Sequence, residues 1–254
     1  MPGKSNTTSP PAEALSIVIP AYQEERFIGG LLAKVIAVDL SPLGLRKEII
    51  VVDDGSRDRT AEIAGAFPEV TLHRKAKNEG KGSAVQAGIR IASGNYIMIQ
   101  DADLEYDPED YIPMLRALIE GKLDAVYGSR YMKYPDRGRL VNFVSSKHPG
   151  QSLTAYAGGQ SLSLIALAAT GRYISDTVTA LKLFRAELIR PIELVTRGFE
   201  LDHEITAKIL ARGARLREVP IHYHPRTKAE GKKIGARDWV IALKTFLRFS
   251  KRAG

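Results

Sequence analysis

An apolar segment of strand length runs directly into two carboxylates in the sequence Tyr96-Ile97-Met98-Ile99-Gln100-Asp101-Ala102-Asp103. Residues two apart on an extended chain point to the same side, so Asp101 and Asp103 can converge on one hard divalent cation. Such a cation would gather phosphate oxygens. A D-x-D tripeptide also occurs by chance in turns and helix caps, so its meaning depends on the segments around it.

Outward from this stretch, short apolar strands alternate with helices. The predicted strands are Leu15 to Pro20, Glu48 to Val52, Val70 to His73, Tyr96 to Gln100 and Asp124 to Tyr127, and the predicted helices begin near Ile28, Thr60, Ser83 and Pro108. This alternation predicts an α/β fold in one domain, with a mostly parallel central sheet flanked by helices. Ligands of such sheets collect beyond the carboxyl ends of the strands, where the polar clusters of this chain emerge.

After about Tyr131 the regular alternation of strands and helices ends. The pattern predicts a strand at Thr179 to Phe184, a helix near Ile205 to Arg212 and a strand near Leu216 to Val219. The last segment, Asp238 to Arg252, places apolar residues on one helical stripe, namely Trp239, Leu243, Phe246 and Leu247. A basic amphipathic helix of this kind either packs on the core, which is its commoner fate, or lies on a membrane surface.

Composition limits the class of protein. The chain has 254 residues, of which 44% are hydrophobic, so it can bury one large core. It has no cysteine, which excludes disulfides and thiolate metal sites and fits a reducing, cytoplasmic compartment. Neither a secretory signal nor an apolar segment that could span a bilayer is recognisable, so any membrane contact is expected to be peripheral.

Charge indicates the kind of partner. The net charge of +8 favours an anionic partner, either a phosphorylated small ligand or an anionic membrane surface. Nucleic acid is not a predicted partner, because no basic stripe interleaved with aromatic residues occurs. Nothing in the sequence bears on the oligomeric state.

Four motifs carry a resemblance to a known family. They are Ile17-Val18-Ile19-Pro20-Ala21-Tyr22-Gln23-Glu24, Val51-Val52-Asp53-Asp54-Gly55-Ser56, Asn78-Glu79-Gly80-Lys81-Gly82 and Asp101-Ala102-Asp103-Leu104. In this order, over Leu15 to about Arg130, they resemble the family 2 glycosyltransferases. The resemblance implies a Rossmann-like GT-A fold and the inverting transfer of a sugar from a nucleotide diphosphate donor, UDP- or GDP-linked, with Mg²⁺ or Mn²⁺.

Further motifs narrow the resemblance. Gly128-Ser129-Arg130-Tyr131, Lys182-Leu183-Phe184-Arg185 and the segment 198–204 look most like dolichyl-phosphate mannosyl- and glucosyltransferases and their bacterial polyprenyl-phosphate relatives. The chain then divides as follows: 1–14 flexible tail, 15–130 nucleotide-sugar-binding half, 131–235 acceptor-binding half and 236–254 C-terminal basic amphipathic helix. The implied acceptor is a lipid phosphate at a membrane surface.

The donor and the cation are assigned to the first half. The predicted donor-binding residues are Pro20, Ala21, Tyr22, Glu24, Asp53, Asp54, Lys81, Asp101 and Ala102. The carboxylates after the second strand can accept hydrogen bonds from a base edge or ribose, although one of them could serve only a turn. The predicted metal ligands are Asp101, Asp103 and Glu105. Relatives often carry Gln where Glu105 stands, so this site would be more anionic if Glu105 is a ligand.

Acceptor binding and catalysis draw on both halves. The predicted acceptor-binding residues are Arg130, Asp176, Lys182, Arg226 and Lys232, and the predicted catalytic residues are Asp103, Asp202 and Arg130. A phosphate acceptor is already anionic and needs no general base, whereas a hydroxyl acceptor must lose a proton. Asp202 is the candidate base in the second case, but it could equally hold a loop or bind Lys182. We interpret His203, His222 and His224 as structural.

Two activities therefore stay open. The first is transfer of a sugar to a polyprenyl or dolichyl phosphate on the cytoplasmic face of a membrane. The second is a cytosolic glycosyltransferase that acts on a hydroxyl of a sugar, a peptide or a small molecule, with Asp202 as the base. A protein that binds nucleotide sugars without turnover is disfavoured, because the charged residues of the motifs are all present.

Overall fold

Residues 13–132, 153–224 and 236–250 are described by a computed structural model of the chain. The strands are β1 (Ala14–Ala21), β2 (Arg46–Asp53), β3 (Val70–Arg74), β4 (Tyr96–Ile99), β5 (Ala125–Ser129), β6 (Lys182–Arg185) and β7 (Leu216–Pro220). The helices are α1 (Ile28–Ala37), α2 (Thr60–Gly65), α3 (Lys81–Ile91), α4 (Tyr111–Glu120), α5 (Leu153–Thr170), α6 (Ala186–Ile189), α7 (Leu201–Ala211) and α8 (Ala236–Phe249). Short 3₁₀ turns, Ser41–Leu43 and Pro108–Asp110, precede β2 and α4.

The described strands form one sheet of seven, in the order β3-β2-β1-β4-β6-β5-β7. β6 is antiparallel to both of its neighbours, and the other neighbouring pairs are parallel. The predicted α/β fold with a mostly parallel sheet is therefore confirmed. In this register Ala21 lies beside Asp53, and Val18 lies beside Ile99, so the polar residues after β1, β2 and β4 share one edge of the sheet.

Both faces of the sheet are covered. Along β1, Ile17 and Ile19 pack into the core that contains α1 and α4, whereas Val18 packs into the core that contains α3 and α7. Because alternate residues of a strand point to opposite faces, a strand buried on both sides must be apolar throughout. This requirement explains the uninterrupted apolar strands of the sequence.

The second half departs from the predicted boundaries. β6 begins at Lys182 and not at Thr179. Backbone groups of the residues just before it form hydrogen bonds with side chains. The Lys182 ammonium donates to the carbonyl of Thr179, and the amide of Ala180 donates to the Tyr106 hydroxyl. Helix α7 begins before the predicted Ile205, at Leu201, since Leu201 is one turn away on the same buried face.

The C-terminal helix packs on the protein along one face. Phe246 of α8 is buried with Ala166 of α5 and Ala207 of α7, and the Trp239 indole donates to the Ser161 hydroxyl over 2.7 Å. The predicted stripe is wrong at Leu247, which is 59% exposed. The rotation of α8 directs Phe246 toward α5 and α7 and leaves Leu247 on the exposed side. No helix among the described residues has the length and hydrophobicity needed to cross a bilayer.

Candidate active site

The loops after β1, β2 and β3 enclose a cleft of about 500 Å³ at the carboxyl edge of the sheet. Its lining consists of Tyr22, Gly55, Ser56, Arg57, Arg74, Lys75, Ala76, Lys77 and Asn78. Of the predicted donor-binding residues, Tyr22 is 41% exposed and forms one wall, whereas Pro20 and Ala21 lie buried in β1 behind it. The backbone amide of Glu24 donates to the Thr60 hydroxyl over 2.8 Å, which fixes the turn after β1. The cleft has the polar walls that a nucleoside requires.

The paired aspartates at the end of β2 have different surroundings. Asp53 is fully buried; its Oδ1 accepts a hydrogen bond from the Ser56 amide, and its Oδ2 lies 3.3 Å from Arg74 Nε. Asp53 Oδ2 receives no hydrogen bond from the described part of the chain and is held by its ion pair with Arg74, one of the residues that line the cleft. Asp54 instead accepts from the Lys75 ammonium at 2.6 Å and from the Gly80 amide at 2.7 Å. Asp54 thus fixes the loop that leads into α3.

The glycines on either side of Lys81 serve the backbone around them. Gly80 has φ of +98°, and a Cβ there would collide with the carbonyl oxygen of Arg197. A Cβ on Gly82 would lie 2.8 Å from the carbonyl carbon of Arg197, whose oxygen accepts a hydrogen bond from the Ser83 amide. The segment before α7 therefore lies against the start of α3 and fixes the position of Lys81.

We expect Gly80→Ala to reduce the free energy of unfolding by about 2–4 kcal/mol, because a positive φ and a backbone collision combine. Urea denaturation followed by circular dichroism would measure this loss. Gly44→Ala is the matched control: Gly44 also has a positive φ, of +67°, but nothing lies within 4 Å of its Cβ position. The control should lose about 1–2 kcal/mol. Equal losses at both positions would contradict the close packing inferred for Gly80.

Four charged side chains of alternating sign form a row across the site. Lys81 Nζ is 2.7 Å from Asp101 Oδ1 and 3.6 Å from Asp202 Oδ2, and Lys182 Nζ is 2.6 Å from Asp202 Oδ1. Burial alone would raise the pKa of Asp202, but the two ammonium groups outweigh it and lower the pKa. Burial opposes the charge of Lys81 as well, yet Asp101 and Asp202 raise its pKa. Asp202 is therefore a stabilised anion and a weak base.

The carboxylates after β4 meet the requirements of a divalent cation only in part. Asp101 and Asp103 both follow the strand, and Asp103 Oδ1 accepts the Glu105 amide at 3.2 Å. The Glu105 carboxylate accepts the Tyr223 hydroxyl at 2.9 Å. Residues 13–132, 153–224 and 236–250 contain no group of three or more metal-binding side chains. Two carboxylates completed by substrate phosphates are a common arrangement for Mg²⁺, and Asp101 and Asp103 would supply the carboxylate oxygens for it.

A bidentate ion pair dominates the predicted acceptor side. Arg130 Nε and Nη2 donate to the two carboxylate oxygens of Asp176, each over 2.7 Å, and the guanidinium lies 5.0 Å from the centre of the Tyr223 ring. Arg226 and Lys232, two further residues predicted to bind the acceptor, lie outside the described residues. The structure thus brings together Arg130 and Asp176 as partners and places Lys182 with Asp202 in the row of charges.

Sequence reasoning did not single out two residues of this region. Phe199 is 68% exposed, and Lys81 Nζ lies 5.7 Å from the centre of its ring. Glu218 accepts hydrogen bonds from Ser175 and Asp176, next to Arg130. A signal existed for Glu218, since it is an acidic residue inside the strand β7.

The histidines have protein partners. His203 is buried with its ring 5.1 Å from that of Phe246, and burial lowers its pKa to about 4. His222 makes two hydrogen bonds to the Asp110 carboxylate, through its backbone amide and Nδ1. The amide of His224 donates to the carbonyl of Glu105. The Asp110 contacts agree with a structural role for His222, whereas Nδ1 of the buried His203 has no hydrogen-bond partner among the described residues.

Comparison with known proteins adds independent findings. A sequence model described as glycosyl transferase family 2 matches residues 16–174. A dolichol-phosphate mannosyltransferase from Pyrococcus furiosus is 33% identical over 225 residues, which make up 87% of this chain and 59% of that protein. This chain therefore spans less than two thirds of the length of that relative. A dolichyl-phosphate hexose transferase from Haloferax volcanii is 31% identical over 212 residues, covering 84% of this chain and 83% of that protein.

A solved structure shares the fold. Glucosyl-3-phosphoglycerate synthase from Mycobacterium tuberculosis, in complex with Mn²⁺, UDP-glucose and phosphoglyceric acid, matches with a TM-score of 0.64. The match covers 93% of this chain and 80% of that one at 19% sequence identity. At this identity the likeness establishes the fold, which is the GT-A fold.

Proposed function

The chain belongs to glycosyl transferase family 2, and from that membership we propose that it transfers a sugar from a UDP- or GDP-linked donor to a polyprenyl or dolichyl phosphate, with inversion and with Mg²⁺ or Mn²⁺. Residues 15–130 would bind the donor and 131–235 the acceptor, and the basic C-terminal segment 236–254, which contains α8, would contact the membrane. The names of the two curated relatives, which both refer to dolichyl phosphate, support this acceptor class.

The observation that carries the proposal is the state of Asp202. Its carboxylate is paired with two ammonium groups, which lower its pKa and leave it little tendency to take a proton. A hydroxyl acceptor would need a base in the transition state, whereas a phosphate oxygen is already a nucleophilic anion. The row of charges therefore favours a phosphate acceptor over the alternative in which Asp202 is the base.

In the proposed reaction, different residues of this chain would bind the nucleoside, the cation and the two phosphate groups. The nucleoside would occupy the cleft at Tyr22, which Arg74, the ion-pair partner of Asp53, also lines. A divalent ion held by Asp101 and Asp103 would neutralise the charge that develops on the departing nucleoside diphosphate. Lys81 would add a positive charge beside the same phosphates, and Arg130 would hold the acceptor phosphate for attack on the opposite side of the sugar.

A peripheral position on the cytoplasmic face of a membrane is part of the proposal. The outward face of α8 carries Val240, which is 44% exposed, and Leu247, together with the exposed Lys244 and Arg248. Apolar and basic residues on one helix face are typical of contact with anionic lipid surfaces. This face would bring the active site to its lipid acceptor.

A panel of donors and acceptors tests the proposed reaction. UDP- and GDP-sugars with Mg²⁺ or Mn²⁺ would be supplied with a short polyprenyl phosphate, with the matching polyprenol and with neutral sugars. We expect glycosylation of the phosphate alone, read both as nucleotide release and as product. Product on the polyprenol or on a neutral sugar would contradict the proposal and favour the hydroxyl acceptor.

Asp202→Asn gives a second test. If Asp202 serves as a buried counter-ion, the variant should lose about 3 kcal/mol of stability, because Lys182 stays buried without its partner. Turnover should fall about 10- to 100-fold through misplacement of Lys81. The control Asp124→Asn removes an exposed pair with Arg215, 2.9 Å long, and should cost at most about 1 kcal/mol. Unchanged stability with a 10,000-fold loss of turnover, a loss of about the size that general bases supply, would indicate that Asp202 is the base.

A further inference from the structure

The Arg130 guanidinium owes its orientation to Asp176. The pair is bidentate, and Asp176 Oδ2 also accepts the backbone amide of Arg130 at 3.1 Å. The Asp176 side chain is completely buried, so its charge is directed to this one partner. An arginine has five N–H donors, and a fork of this kind uses two of them, so the same guanidinium can still donate to an anionic ligand.

Asp176 itself lies in a segment without regular secondary structure. The Glu218 carboxylate fixes that segment through three hydrogen bonds. Glu218 Oε2 accepts the Ser175 amide at 2.8 Å, and Glu218 Oε1 accepts the Ser175 hydroxyl at 2.7 Å and the Asp176 amide at 3.0 Å. The Ser129 hydroxyl, next to Arg130 in the chain, lies 2.7 Å from the Ser175 hydroxyl.

The sheet places these groups together. In the parallel pair of β5 and β7, Tyr127 lies beside Glu218, and Ser129 lies beside Pro220. Arg130 is the residue that follows β5, so Glu218 is anchored on the strand next to the one that carries Arg130. Glu218, Asp176 and Arg130 therefore form a continuous line of contacts from the sheet to the acceptor side.

Burial at this position disfavours the ionised form of the Glu218 carboxyl. Loss of water raises the pKa of Glu218, and the neighbouring Asp176 carboxylate adds to the rise, whereas the hydrogen bonds from Ser175 and Asp176 oppose it. Three donors converge on the two oxygens, and only an ionised carboxyl offers acceptors at both. A glutamine would turn its amide N–H groups toward one of these donors. The ionised Glu218 carboxylate is therefore suited to hold the backbone of Ser175 and Asp176 in one position.

We propose that Glu218 is a positioning residue, which through Ser175 and Asp176 holds the Arg130 guanidinium in the orientation that binds the acceptor phosphate. The inference rests on the proposed function, because it takes Arg130 as the group that contacts the acceptor. Glu218 would have no contact with either substrate and would act only through the two residues that it binds.

The chain offers a matched control on the donor side. Glu204 is buried in α7, and its carboxylate accepts the amides of Val195 and Thr196, next to the segment that packs on Gly80. Both glutamates therefore fix an irregular segment through backbone amides. One segment supports Arg130, and the other supports Lys81.

The test compares Glu218→Gln with Glu204→Gln, using a short polyprenyl phosphate and a nucleotide sugar. For Glu218→Gln we expect the KM for the lipid phosphate to rise about tenfold or more, with the KM for the donor within about twofold of wild type. For Glu204→Gln the donor KM should rise more than the acceptor KM. In NMR spectra, the Arg130 Nε–H resonance should shift in Glu218→Gln and stay in place in Glu204→Gln.

Comparison with Arg130→Lys distinguishes a failure of the positioning role of Glu218 from a failure of the proposed acceptor site. If Arg130→Lys leaves the acceptor KM unchanged, Arg130 does not hold the phosphate and the proposed acceptor site is wrong. If Arg130→Lys raises that KM but Glu218→Gln does not, only the positioning role is overturned. An equal rise in both KM values for Glu218→Gln would also overturn it. Should Glu218→Gln fail to fold, Ser175→Ala removes one of the hydrogen bonds and should raise the acceptor KM selectively, by about two- to fivefold.

Discussion

Asp103→Ala is expected to lower turnover at least about 1,000-fold, which corresponds to about 4 kcal/mol of transition-state stabilisation. In the proposed reaction the departing nucleoside diphosphate carries two negative charges, and Asp101 and Asp103 would hold a cation against it. Loss of one of two protein ligands should weaken Mn²⁺ binding, measured by isothermal titration calorimetry. The protein should remain folded, because the substitution removes a hydrogen bond from the Glu105 amide, which contributes only about 1 kcal/mol.

Asp107→Asn is the matched control for Asp103→Ala. Asp107 lies four residues further on, caps the turn before α4 through the Glu109 amide and pairs with Lys34 at 3.5 Å. It should retain turnover and Mn²⁺ affinity. Glu105→Gln added to the series decides whether Glu105 is a ligand, since a ligand would be needed for full Mn²⁺ affinity. If Asp103→Ala keeps more than about a tenth of the activity, its charge is not used in catalysis.

Lys81→Met is expected to lower turnover and to raise the affinity for Mn²⁺. Turnover should fall about 100-fold or more, because a positive charge beside the donor phosphates is lost. In the absence of donor, Mn²⁺ should bind more tightly than to wild type, because the ammonium 2.7 Å from Asp101 competes with a cation for that carboxylate. Calorimetric titration with Mn²⁺ alone measures the second effect independently of catalysis.

Lys34→Met supplies the comparison for Lys81→Met. It removes another lysine from an ion pair with an aspartate, but the pair with Asp107 lies on the surface and contacts no residue of the row of charges. Neither Mn²⁺ affinity nor turnover should change in it. A decrease of Mn²⁺ affinity in Lys81→Met would show that Lys81 supports the cation site and does not compete for it.

Much of the fold could be predicted because the signals are local. A strand buried on both faces must be apolar throughout, and a helix that covers it shows its own period, so β1 to β5 were recognisable. The insertion of β6 between β4 and β5 was not, because pairing between distant segments leaves no mark in either sequence. The exposure of Leu247 could not be predicted either, because it depends on how α8 is rotated against α5 and α7.

The residue types of the site were predictable, but only part of their pairings was. The motifs indicated Asp53, Asp54 and Lys81 together, yet Asp54 is turned toward the loop before α3, and only Asp53 keeps an oxygen without a hydrogen bond from the described residues. Lys182 was predicted to bind the acceptor, and its pairing with Asp202 was left open as an alternative; the structure buries Lys182 in that pair. The ion-pair partners of Asp53 and Asp54 come from other segments of the chain and left no signal in the sequence.

The antiparallel strand β6 also has a consequence for biosynthesis. β5 is hydrogen-bonded to β6 and β7 and to no other described strand, so it leaves the ribosome before any of its partners has been made. Until residues 182–185 emerge, β4 presents an open edge, which invites pairing with another chain. A nascent chain paused before that point is therefore expected to be prone to aggregation, and a chaperone that shields the edge should raise the yield of native protein.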